Sequence, residues 1–245
     1  MKKVLGLAIS FCMFFGTVFA KGVYDGDIQL HLGLGLDSAK AVVEESFNGK
    51  SAKMTLESGS TTVDFELSTW HLFDVNDLIG VGFNLGFSGG IGKTSKMGMS
   101  AECNGITIPA ELLFPVELKP SFAGHFNGLI GPAVGFTLND VIKFDLAVGF
   151  AYGLDLYSYE YENYDPYSRN TDTKSDEFMI FGAGFGFDVQ AKFFPKSVVS
   201  PVLGYRLSSI FSSEVITSDE NSSSGNWDSV NFIANEIYLG VSFNW

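Results

Sequence analysis

Chemistry in a protein begins with side chains that can donate protons, attack, or ligate, and this sequence has few arranged for it. Its three histidines are His31, His71 and His125. None stands at metal-ligand spacing from a cysteine or carboxylate, and no His-x-x-x-His occurs, so no metal site is expected. Ser68, His71 and Asp74 hold the residue types of a nucleophile, base and orienting acid. His71 near a strand end reads more simply as an interfacial aromatic. The glycine strings Gly80-Val-Gly82 and Gly182-Ala-Gly184-Phe-Gly186 look like phosphate loops only on the surface. They lie inside strand patterns with no helix after them, so the dinucleotide reading fails. The acids of 157–177 lack EF-hand spacing. We expect no enzyme and no cofactor.

Two other sets carry more. Asp64, Glu66, Lys143, Asp145, Asp188, Lys192, Arg206 and Glu236 each sit one place away from apolar neighbours in alternating runs, as do Gln190 and Tyr238. In a strand this puts them on the face opposite the apolar one. Tyr157, Tyr159, Tyr161, Tyr164 and Tyr167 are interleaved with Glu160, Glu162 and Asp165. Rigid, amphipathic tyrosine rings give contact area at low entropy cost, so Tyr161, Tyr164 and Tyr167 are candidates for recognition. The bland alternative for Tyr157 and Tyr159 is the upper aromatic girdle of a barrel.

The elements that position these residues are strands. Ile28 to Leu36, Val63 to Thr69, Ile79 to Phe87, Ile142 to Phe150, Met179 to Val189 and Ile233 to Trp245 all alternate with period two. Spans fall near 26–36, 61–73, 79–88, 126–138, 141–156, 177–192, 199–213 and 230–245. The spacer faces are mostly Gly, Ala, Ser or charged, and the runs have the length a tilted bilayer-spanning strand requires. In lipid the sheet must close, because an open edge leaves backbone groups unpaired. Short turns at 73–77 and 138–140 read as periplasmic. The longer polar stretches 37–60, 89–104, 157–177 and 213–228 read as outer loops. This predicts an all-β, closed antiparallel up-and-down transmembrane barrel of eight strands, with ten as the alternative. Segment 104–125 has no settled place, since Ile106 to Leu118 alternates well yet carries Pro109 and Pro115.

Composition agrees with that address. Of 245 residues, 28 are glycine and 24 phenylalanine. Met1-Lys2-Lys3 followed by the apolar stretch Val4 to Phe19 and Ala20 reads as a cleaved signal peptide over 1–20, leaving the barrel domain at 21–245. Beyond it stand 13 basic residues against 28 acidic, a net charge of −15. So acidic a chain is a poor partner for nucleic acid or anionic headgroups. Cys103 is then the single mature cysteine, and no internal disulfide can form.

The C-terminus carries a family resemblance. Tyr238, Gly240, Phe243 and Trp245 resemble the terminal signal read by the outer-membrane barrel-assembly machinery. Gly128 to Asp140, followed by Phe144 to Tyr152, resembles a strand-turn-strand of the small OmpA/OmpX/Ail and OmpW-like barrels, where a Gly-Pro strand precedes an Asn-Asp turn. The resemblance implies a monomer in the outer-membrane lipid of a Gram-negative-type envelope. Such barrels include adhesins, surface-defence proteins and narrow pores, so the resemblance leaves function open. Two readings follow. One is a surface or envelope interaction protein whose acidic, tyrosine-rich loops meet a host or envelope ligand. The other is a narrow porin-like channel for ions or small solutes, lined by the inward charges.

Overall fold

Alternating apolar and polar side chains force opposite faces of each strand into opposite environments. The computed structural model describes residues 24–47, 50–109, 119–165, 170–217 and 225–245. Its strands are β1 (Tyr24–Phe47), β2 (Lys50–Asp74), β3 (Ile79–Cys103), β4 (Ile106–Pro109), β5 (Lys119–Thr137), β6 (Ile142–Asp165), β7 (Asn170–Phe193), β8 (Val199–Thr217) and β9 (Gly225–Asn244). Each long strand pairs antiparallel with its neighbours, and β1 pairs with both β2 and β9. Eight strands therefore close a ring. β4 stays outside it, bonded to the end of β3 alone.

This places residues 104–109 and 119–125 of segment 104–125; residues 110–118 lie outside the described residues. Asn104 and Gly105 take φ of 51° and 81°, the left-handed pair of a two-residue hairpin, and fold Ile106–Pro109 back onto Ser100–Cys103. Residues from Lys119 onward extend the fourth spanning strand. The described parts of the segment add no further member to the closed ring, which has eight strands and not ten.

The barrel is inverted relative to a soluble one. Leu34 is 63% exposed, Phe185 70% and Leu239 64%, while Asp64 and Asp188 are fully buried. An outer surface of Leu, Ile, Val and Phe on every wall suits hydrocarbon, and its height on β1 (Ile28 to Leu36) matches an apolar band of about 25 Å. The glycines give the interior room. Inside, Tyr238 lies over Gly204, its cross-strand partner; on the outer face Tyr152 lies over Gly128 in the same way. A Cβ at either glycine would run into the ring.

One end is trimmed short. Asn76 Oδ1 accepts from the backbone N–H of Leu78 and Ile79, both at 2.9 Å. Asn139 Oδ1 does the same for Val141 at 2.8 Å and Ile142 at 2.9 Å. These Asx turns reverse the chain in few residues. At the opposite end the expected long loops are largely strand. β1 and β2 stay paired out to Phe47↔Lys50, and β6 and β7 out to Asp165↔Asn170. Hairpin partners satisfy each other's backbone without any membrane, so ladders run on past the apolar band. The sequence patterns stopped at the band because outer-face residues beyond it are polar.

Candidate functional site

The lumen is the site, and it is layered. At the short-turn end, Lys192 pairs with Asp27, and Lys143 with Asp25 and, at 3.5 Å, with Asp145. Gln190 donates to Asp145 at 3.0 Å, Gln29 to Asp27 at 2.9 Å and Ser242 to Asp27 at 2.9 Å. Trp70, Leu72, Ala133 and Ala147 form an apolar cluster at the same end.

Mid-barrel, the Arg206 guanidinium joins Glu66 on β2 to Asp188 on β7, with Nη2 2.6 Å from Asp188 Oδ2. Tyr238 donates to Asp188 Oδ1 at 2.5 Å. His31 stacks on the Tyr238 ring at 4.2 Å and holds Nδ1 3.2 Å from Glu66. Glu236 lies beside this group, lining a narrow cavity no larger than a water molecule with Arg206, Asp64, Asp37 and His125. A planar fork that bridges two carboxylates from opposite walls ties the barrel across its own diameter.

Toward the strand-extension end, His125 Nδ1 is 3.1 Å from Asp37 Oδ2, and its Nε2 3.5 Å from Asp64. Asp155, His125's cross-strand partner, is buried beside them. Beyond these groups an apolar cluster of Ala39, Ala41, Leu56, Tyr157, Phe178 and Phe232 fills the interior. Tyr157 and Phe178 stack across β6 and β7 at 5.0 Å.

All eight charged residues singled out by alternation are thus buried inside, in three groups rather than one. His125, read as preceding a strand, lies within β5 and faces inward. Asp25, Asp27, Asp37 and Asp155 join the network without having been singled out. In the sequence pattern Asp37 falls at a loop edge and Asp155 at a strand end, and only alternation continued past the band reaches them. Ser68 is buried inside the barrel, whereas His71 lies on the outer face, stacked on Phe83 at 4.6 Å. Opposite strand parity keeps that trio from converging. Tyr161 lies in β6 opposite Lys174, 6.2 Å from Tyr159, and Tyr164 pairs in register with Thr171. Tyr167 and the signal segment 1–20 lie outside the described residues. In the terminal motif Tyr238 points inward with Gly240 on the same face, while Phe243 and Trp245 stand on the outer surface. At the rim below the band, burial and then the neighbouring Asp25 hold the Asp74 carboxyl above its ordinary range.

A closed eight-strand ring with an apolar outside and a charged inside defines a small membrane-spanning β-barrel, the fold of the small outer-membrane barrels. No protein-family model matches the chain, and no curated protein matches it in sequence. Among solved structures, it is similar to Ail, the attachment invasion locus protein of Yersinia pestis, in complex with the heparin analogue sucrose octasulfate. The identity is 10% over 91% of this chain and 99% of that one, with a TM-score of 0.37. Neisserial surface protein A is 10% identical over 89% of this chain and 97% of that one, with a TM-score of 0.39. The outer membrane protease OmpT from Escherichia coli is 10% identical over 91% of this chain and 96% of that one, with a TM-score of 0.39.

Proposed function

We propose that this protein is a non-catalytic surface protein of the outer membrane, a plugged barrel that holds rigid strand extensions out as an interaction platform. The short Asx turns face the periplasm and the extensions face outward. One observation supports the reading most: the lumen is crowded along the described residues, by ion pairs at the short-turn end and mid-depth and by apolar clusters at both ends. Side chains locked in that way leave little room for a solute. The β6–β7 extension carries half-buried Tyr159 and Tyr161 on the face that continues the lumen side and exposed Glu160 and Glu177 on the other, an acidic, aromatic rim suited to a cationic or amphipathic ligand.

The rival reading is a cation-selective pore, favoured by the acid excess among the buried charges. Planar-bilayer recording of refolded protein separates the two. The plugged barrel gives a silent bilayer, and steady cation-selective conductance overturns it. For the platform, residues 160–175 are replaced by Asn-Gly between the paired Tyr159 and Asp176. The barrel then keeps its heat-modifiable migration and loses adhesion to cultured cells. Undiminished adhesion removes β6–β7 from the interaction.

A further inference from the structure

The charge balance changes along the lumen. Two lysines serve the acids at the short-turn end and Arg206 serves those in the middle. Toward the extension end Asp37, Asp64 and Asp155 are buried together, and among the described residues no lysine or arginine forms an ion pair with any of them. His125 is the basic group that reaches them. Asp37, His125 and Asp155 each offer a ligand atom, and these atoms all lie within 4.8 Å of one another.

A second observation is independent of that clustering. Asp155 is 2% exposed, and its Oδ2 has no hydrogen-bond partner among the described residues; the same holds for Oδ1 of the buried Asp37. Buried carboxylate oxygens without donors are costly, and two such carboxylates side by side repel. A cation between them would supply charge and coordination at once.

We propose that Asp37, His125 and Asp155 form a binding site for a divalent transition-metal ion, of the Zn2+ class, at the outer end of the lumen. One imidazole and two carboxylates are a borderline donor set that suits Zn2+ better than Ca2+ or Mg2+, which favour all-oxygen shells. With the ion on Nδ1, the Nε2–H of His125 faces Asp64 Oδ1 at 3.5 Å, placing a carboxylate behind the imidazole to orient it. The topology gives the ion a role. His125 and Asp155 are cross-strand partners on β5 and β6, whereas Asp37 stands on β1, three positions from β5 around the ring and directly opposite β6. The ion ties opposite walls together below the apolar cluster, as Arg206 does deeper in the barrel.

The test uses the full mature chain, refolded in detergent with Zn2+ present because the apolar cluster covers the site. Excess ion is removed by chelator and gel filtration, and retained metal is measured by mass spectrometry. The expected result is about one zinc per chain, with a higher melting midpoint than metal-free protein. Asp155→Asn and His125→Gln should each weaken zinc binding by at least about tenfold. Cys103→Ser and His71→Gln, which alter exposed and outer-face groups, should retain the ion. Heat-modifiable migration on gels verifies that each variant is folded. Asp155→Asn keeps the shape and removes a buried charge, so it is the variant surest to fold. Failure of the wild type to retain zinc overturns the proposal, as does folded Asp155→Asn that retains it equally.

Discussion

At the residue scale, Arg206 is the side chain on which the interior turns. It neutralises Glu66 and Asp188 from opposite walls, and Asp188 in turn holds the Tyr238 hydroxyl. Truncating it strands two buried carboxylates, which costs about 3–5 kcal/mol. Arg206→Ala should therefore lower the urea midpoint of detergent-folded protein strongly. Glu66→Gln in that background should recover part of the loss, and additivity of the two would show that they do not interact. Gly204→Val acts on the same group from the other side, because Tyr238 occupies the space a side chain would need. The displaced ring loses its bond to Asp188, at a cost of about 1–3 kcal/mol by the same urea measurement. Asp74 makes a pH prediction. Its carboxyl is raised above 3.8 by burial and by Asp25, so the folded state favours the protonated form. That contribution is full below the unfolded value and is lost as pH rises through the folded one. Asp74→Asn should remove this slope, making the melting midpoint less sensitive to pH across and just above the carboxylate range.

At the element scale, the strands are longer than their apolar patterns. A membrane imposes alternation only where lipid meets the wall, and hairpin pairing continues without it. The β3–β4 hairpin shows how local such an extension is. It rests on Asn104 and Gly105 in left-handed conformation, with β4 bonded among the described residues to β3 alone and the Asn104 N–H donating to the Ser51 carbonyl on β2. Gly105→Ala strains that turn and should expose 99–109 to limited proteolysis while the barrel's melting midpoint stays unchanged. A lowered midpoint would mean that β4 supports the ring.

At the scale of the molecule, eight strands leave a lumen that side chains can fill, and they do fill it. The plug is graded: lysine-paired acids near the short turns, an arginine bridge at mid-depth, a histidine among acids farther out, then apolar packing. In a ten-strand ring Arg206 would still meet Asp188, its cross-strand partner, but Glu66 across the lumen would stand farther off. Strand number therefore separates plug from pore, and the β3–β4 hairpin fixes the number by taking Ile106–Pro109 out of the ring.

The sequence by itself determined the kind of wall this protein builds. Period-two alternation puts each residue on one face or the other, so the inward placing of Asp64, Glu66, Lys143, Asp145, Asp188, Lys192, Arg206 and Glu236 needs no knowledge of neighbours. Abundant Phe and Gly divide in the same way, with Phe185 facing out and Gly204 facing in. Which inward groups meet is a different matter. Glu66 and Arg206 are 140 positions apart, and His125 and Asp37 are 88 apart. Their contact depends on strand order, register and closure, each a property of pairings between distant segments. Only the tertiary structure, which fixes the ring at eight strands and the diameter that follows, decided that these charges face one another across the lumen.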